Sequence, residues 1–166
     1  MDVRVIGINI NLHDSSSISL GSFIKVLKLI IDCLKLDGDY EKMGFIQSYW
    51  ERGLLKARAI KNIRSKKTID VESIAIDKIC DECTGIWWES YKEKSMFHIS
   101  IGNLFKYDGT YLGSNVHIID YRLIITYDDA YNISNIIKDY FGLNKKIVIN
   151  QVLDESKQLD YCISFE

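Results

Sequence analysis

The chain of 166 residues contains no proline, which excludes Pro-rich linkers and PxxP ligands. Alanine is scarce too, with four against 27 isoleucines and 14 leucines. Ile, Lys, Asn and Tyr have AT-rich codons, so this usage points to a low-GC bacterial or phage gene. No apolar run approaches the roughly 20 residues of a membrane span. The most hydrophobic stretch, residues 23–36, is interrupted by Lys25, Lys28, Asp32 and Lys35. The N-terminus MDVRVIGINI lacks the basic region ahead of an apolar segment that marks a signal peptide. Four cysteines without such a signal point to free thiols in a reducing compartment, so a cytoplasmic location is expected. The ten glycines form neither G-x-G-x-x-G nor a G-K-[ST] loop. H-E-x-x-H and G-x-S-x-G are missing as well. With no legible nucleotide cradle, metal helix or hydrolase elbow, no cofactor and no catalytic residue is expected.

What is present fits a soluble globular chain. The apolar share of 47% and charged share of 27% leave enough hydrophobic residues for a core, and a chain of this size buries roughly 70% of its unfolded surface. Lys and Arg number 21 against 23 Asp and Glu, a net charge of −2, which argues against direct nucleic-acid binding.

Hydrophobic periodicity predicts the elements. Residues 3–12 place Ile6, Ile8, Ile10 and Leu12 on one face of a half-buried strand. His13-Asp14-Ser15-Ser16-Ser17 reads as a polar turn. Ser22 is the expected cap of an amphipathic helix running to about Leu36, with Ile24, Leu27, Ile31 and Leu34 on one face and Asp37-Gly38 ending it. Ser48-Tyr49-Trp50-Glu51 has the form of a capping box and predicts a second helix to about Arg64. Residues 70–83 fit two patterns: Val71, Ile74 and Ile76 could alternate in a strand, while Ile79, Cys80 and Cys83 fit a helix better, so a third helix is expected from about Val71. The pattern then turns to sheet, with Phe97, Ile99 and Ile101 alternating, a turn-rich stretch at 107–113 and an extended run over 115–127. Asp128 is the expected cap of a helix carrying Ile133, Ile136, Ile137, Tyr140 and Phe141, closed by Gly142. Residues 146–153 and 159–165 predict two strands around a hairpin at Asp154-Glu155-Ser156. This order predicts an α+β fold, a mostly antiparallel sheet with helices packed on it, as a single domain over residues 1–166.

Cys80-Asp81-Glu82-Cys83 has the spacing of a zinc or redox pair, yet a structural zinc needs four ligands and the other candidates, Cys33, Cys162, His13, His98 and His117, are scattered. Its acidic neighbours would raise a thiol pKa, so the pair reads as small core residues. His13-Asp14-Ser15 holds triad residue types, but adjacent positions do not supply triad geometry. His98 and His117 sit in strand patterns, on the wetter side of a sheet.

Charge is the informative feature. Residues 52–67 carry Arg52, Lys56, Arg58, Lys61, Arg64, Lys66 and Lys67 with no acidic residue among them. Residues 68–93 carry Asp70, Glu72, Asp77, Asp81, Glu82, Glu89 and Glu93 against only Lys78 and Lys92. Such blocks either neutralise each other on a solvated face or attract an oppositely charged partner and speed its association. The basic block could meet phosphates, but no aromatic residues interleave with it. The acidic block holds Trp87, Trp88 and Tyr91, and two adjacent tryptophans cannot both enter one core from a regular element. Aromatics among carboxylates have the chemistry of an interface hot spot, with a ligand pocket or plain packing as the alternatives. The candidate binding residues are Asp77, Asp81, Glu82, Trp87, Trp88 and Glu89.

In its small size, cytosolic character, AT-rich usage, lack of a legible active site and acidic aromatic patch, the chain resembles the bacterial immunity proteins of contact-dependent growth inhibition and polymorphic toxin systems. The resemblance implies tight stoichiometric binding to a cognate toxin domain, without enzymatic activity, membrane attachment or direct contact with nucleic acid. Many such toxins are nucleases with basic clefts, which an acidic block matches. The alternatives are a small enzyme with a dispersed site using Cys80 or His98, and a structural or regulatory subunit that self-associates through aromatic-rich strands.

Overall fold

Isoleucine-rich segments with a two-residue period build one eight-stranded sheet, seen in a computed structural model that describes residues 5–13, 17–36, 40–65, 69–71, 74, 83–153 and 158–166. In chain order the elements are β1 (Val5–Leu12), α1 (Leu20–Leu34), β2 (Tyr40–Glu51), β3 (Leu54–Ser65), β4 (Gly85–Lys92), β5 (Ser95–Phe105), β6 (Tyr111–Asp120), α2 (Tyr127–Phe141), β7 (Ile147–Leu153) and β8 (Leu159–Phe165). The strand order is β3-β2-β4-β5-β6-β1-β8-β7. Every neighbouring pair is antiparallel except β1 and β8, which run parallel. This is the expected α+β architecture.

The two helices pack on each other and on one face of the sheet. That face supplies Ile8 and Ile10 from β1, Met43 and Phe45 from β2, Ile86 and Trp88 from β4, Phe97 and Ile99 from β5, and Val116 and Ile118 from β6, all fully buried. The helices meet them with Phe23, Val26, Leu27 and Ile30 from α1 and Ala130, Ile133 and Ile137 from α2. No described helix is long and apolar enough to cross a membrane.

The cap of α1 is Ser19, three residues ahead of the expected Ser22, and its Oγ accepts from the Ser22 N–H at 3.2 Å. The helix stops at Lys35 in the left-handed conformation (φ 50°). The expected stop at Asp37-Gly38 lies outside the described residues. In α2 the cap is Thr126 rather than Asp128, in a capping box with Asp129. Asp128 instead sits in the first turn, where a carboxylate favours the helix dipole. Gly142 closes α2 as expected, at φ 62°. The strands β7 and β8 also pair as expected, the hairpin residues Asp154, Glu155 and Ser156 lying outside the described residues.

The expected helix over residues 48–64 is instead the β2–β3 hairpin. Arg52 (φ 52°) and Gly53 (φ 76°) turn it, the two left-handed positions that a two-residue hairpin loop requires. Buried Met43 and Phe45 anchor β2 in the core, and its pairing with β3 runs on through Ser48–Glu51, which overrides the helix-cap form of that segment. Of the expected helix from Val71 to Cys83, residues 72, 73 and 75–82 lie outside the described residues, while Ile69 and Val71 are buried against the core. The extended run after residue 115 stops at Asp120. Its buried carboxylate accepts N–H groups of Arg122 (2.9 Å), Ile124 (2.6 Å) and Ile125 (2.8 Å), turning the chain into α2.

Trp88 fills the centre of the core at 0% exposure, and its Nε1 donates to buried Glu41 at 3.4 Å. Glu41 also accepts the Ile69 N–H at 2.6 Å, so strand and loop are tied at one carboxylate. Trp88→Ala is expected to cost about 3–5 kcal/mol of unfolding free energy, read from urea denaturation.

A candidate recognition face on the open side of the sheet

Strand alternation sends every second side chain to the opposite face, which no described helix covers. The local rows are set by register: Lys42, Glu89 and His98 lie opposite one another across β2, β4 and β5, and Gly44, Trp87, Ser100, His117, Asn9 and Cys162 follow across β2, β4, β5, β6, β1 and β8.

These side chains order one another. Tyr40 and Tyr91 stack with centroids 4.8 Å apart and planes 4° from parallel. Lys42 Nζ lies 4.8 Å from the Tyr91 ring centroid, within cation–π range. The Tyr91 hydroxyl donates to Glu89 Oε2 at 2.5 Å, and Glu89 Oε1 stands 3.0 Å from His98 Nδ1. A carboxylate that only accepts makes this bond when Nδ1 carries the hydrogen. His98 in turn stacks near Trp87, centroids 6.4 Å apart at 13°. The Trp87 indole lies directly over Gly44, where any Cβ would collide with it. Farther along, Asn115 donates to Asn9 and Asn11 at 2.5 and 3.0 Å, joining β6 to β1. The result is a pre-ordered band of aromatic, imidazole, carboxylate and amide groups on a rigid sheet.

Burial lowers the pKa of His117, with neighbouring His98 acting the same way and Asp160 opposing it. The Cys162 thiol is pushed up, by burial first and then by Asp160, and Cys33 is raised by burial and Asp129. Both thiols are therefore protonated at neutral pH and poor nucleophiles. Among the described residues no group of three or more His, Cys, Asp or Glu is placed to hold a metal ion. A cavity of about 300 Å³ lies elsewhere, at the ends of β1 and β8 beside the C-terminus of α2, with His13 at its wall.

The expected binding residues divide three ways. Trp87 and Glu89 lie at the centre of the open face, half-buried among Tyr91 and His98. Trp88, the next residue, belongs to the core instead, because period two places adjacent residues on opposite faces; its side chain reaches no surface. Asp77, Asp81 and Glu82 lie outside the described residues, as does Cys80. Cys83 is half-buried and donates to the Gly85 carbonyl at 3.1 Å. Both His98 and His117 face the wetter side, as their strand patterns imply. Tyr40 and Lys42 escaped notice because β2 belongs to a segment without a clear alternating run, and only its pairing with β4 brings them beside Tyr91. Of the basic block, Arg52, Lys56 and Arg58 are exposed on the β2–β3 hairpin. Lys56 pairs with Glu51 at 3.1 Å and Arg58 donates to Gln47 at 2.6 Å, so these contacts run within the hairpin.

No protein-family model, curated protein or solved structure matches the chain.

The depressed His117 pKa makes a signed prediction. Between its folded and unfolded values the unfolded chain binds more protons, so the stability it contributes is present above about pH 6.5 and is lost as pH falls through the folded value. The stability of wild type relative to His117→Gln is expected to decline as the pH of denaturant titrations is lowered from 8 to 5.

Proposed function

We propose that the chain is a stoichiometric protein inhibitor, an immunity-type protein of the cytoplasm that binds a cognate toxin domain through the open face of its sheet. The observation that carries this reading is the mutual ordering of Trp87, Glu89, Tyr91 and His98 on a face no described helix covers. Tryptophan and tyrosine are among the residues that dominate binding energy at interfaces, and pre-ordering them lowers the entropy lost on association. Asp77, Asp81 and Glu82 precede this strand in sequence and would add the negative field that steers a basic partner such as a nuclease cleft.

The test is co-purification of the tagged chain from its native host, with stoichiometry measured. One small protein held one-to-one by wild type, and held about tenfold or more weakly by Trp87→Ala, supports the reading. Gly44→Ala is expected to act in the same direction by pushing the indole off its seat, visible as a tryptophan fluorescence change. Charge reversal at Asp81 and Glu82 is expected to slow association and flatten its salt dependence. A partner held equally by all these variants rules this face out as the binding site, and no partner from a host that demonstrably expresses the toxin genes overturns the inhibitor reading.

The Glu89–His98 contact favours a second reading, a proton-transfer site. A carboxylate on Nδ1 leaves Nε2 of a neutral imidazole as the base, the arrangement used in general acid–base catalysis. A turnover by the purified protein that His98→Gln abolishes would establish it.

A further inference from the structure

The two edges of the sheet are unlike. The β3 edge carries the exposed charges of Lys56 and Arg58, with a bulge opposite Phe45 and Ile46, the devices that keep edge strands from pairing with other chains. The β7 edge, Ile-Val-Ile-Asn-Gln-Val-Leu, has no charge and no bulge against β8. Its outer end is apolar and open, with Val152 45% and Leu153 58% exposed.

Hydrogen bonding fixes which groups face outward. Lys146 and Glu166 exchange both backbone bonds, N to O, at 2.7 and 2.9 Å. Antiparallel pairing alternates, so the even residues Val148, Asn150 and Val152 turn their N–H and C=O toward β8. The N–H and C=O groups of Ile147, Ile149, Gln151 and Leu153 point away from the sheet.

We infer that β7 pairs antiparallel with β7 of a second copy of this chain, about a two-fold axis through Asn150. Asn150 is the middle residue of the strand, and only an axis there pairs all seven positions. Ile147 then faces Leu153 of the second copy, and Ile149 faces Gln151, so every outward N–H and C=O on both strands gains a partner. On the open side Val148 meets Val152 of the second copy, covering the exposed valine. Asn150 meets its own copy at the close, non-hydrogen-bonded spacing of about 4.5 Å between Cα atoms, where two amides can bond each other. A two-fold axis normal to the sheet keeps both open faces on the same side. The Trp87–His98 band lies on β4 and β5, five and four strands in from β7, and stays free.

The experiment is sedimentation equilibrium of the purified full chain over a concentration series, together with cysteine cross-linking. The expected mass is twice that of one chain, with Asn150→Asp weakening the dimer about fivefold by placing like charges opposite each other, and added salt restoring it. Asn150→Cys is expected to form a disulfide dimer under mild oxidation, since the spacing suits the bond. Gln151→Cys, which faces Ile149 of the second copy, should cross-link no more than wild type with its native cysteines. A single-chain mass at every concentration overturns the inference. So does a dimer that Asn150→Asp leaves unchanged and Asn150→Cys does not trap. Each readout is made without a binding partner, so failure here is separate from failure of the inhibitor reading.

Discussion

The register between β4 and β5 is the constraint on which the molecule depends. Opposite Ile99 stands Trp88, and opposite His98 stands Glu89. A slip of one residue would drive Glu89 and Trp87 toward the helices and throw Trp88 and Ile86 into water, since the side-chain period of a strand is two. Burial of Trp88, Ile86, Phe97 and Ile99 against α1 therefore does two jobs at once. It stabilises the fold by roughly 1.5–3 kcal/mol for each large side chain, and it dictates which residues face outward. The aromatic band on the open face is thus positioned by the core directly beneath it.

Two buried carboxylates hold the ends of this arrangement. Asp120 binds three backbone N–H groups just beyond β6, and Glu41 binds one N–H of the chain near Ile69 together with the Trp88 indole. Buried backbone donors left without partners would each cost a free energy comparable to a lost hydrogen bond. These acids stand where strands give way to loops and ladder bonds run out. A third polar group, Asn103, plays the same part: its side chain accepts the Ile18 N–H and donates to the Ile18 carbonyl, tying the approach to α1 onto β5.

Legibility in the sequence followed the strength of local periodicity. Both helices were readable because their apolar residues recur at helical spacing and a glycine ends α2, while their caps were misplaced because several Ser, Thr and Asp residues compete within one turn. The edge pair β7 and β8 was readable from β-branched runs on either side of polar residues. The β2–β3 hairpin was not, because Ser48 and Glu51 imitate a capping box while the deciding signal, Arg52-Gly53 between two extended runs, is short. The recognition face was half readable. The adjacent tryptophans require that one leave the core, but which one leaves is decided by pairing with β2 and β5, a non-local fact. His98 and Glu89 lie nine residues apart in sequence and meet only through the β4–β5 hairpin.

A sheet with helices on one side only has to keep its other side compatible with water, and usually does so with scattered Thr, Ser, Lys and Glu. Here the middle of that side is built from Trp87, Tyr40, Tyr91 and His98, which bind water less well than such residues but bind other proteins better. They stand outside the buried core of β4 and β5, which lies on the helix side. The β2 glycine is instructive: at Gly44 a side chain is withheld so that an indole can lie flat on the backbone of the neighbouring strand. A missing Cβ in a strand weakens it, so a glycine there stabilises nothing except the position of Trp87. That combination, an aromatic outside the core seated over a residue without a side chain, is what the proposed binding role of the open face rests on.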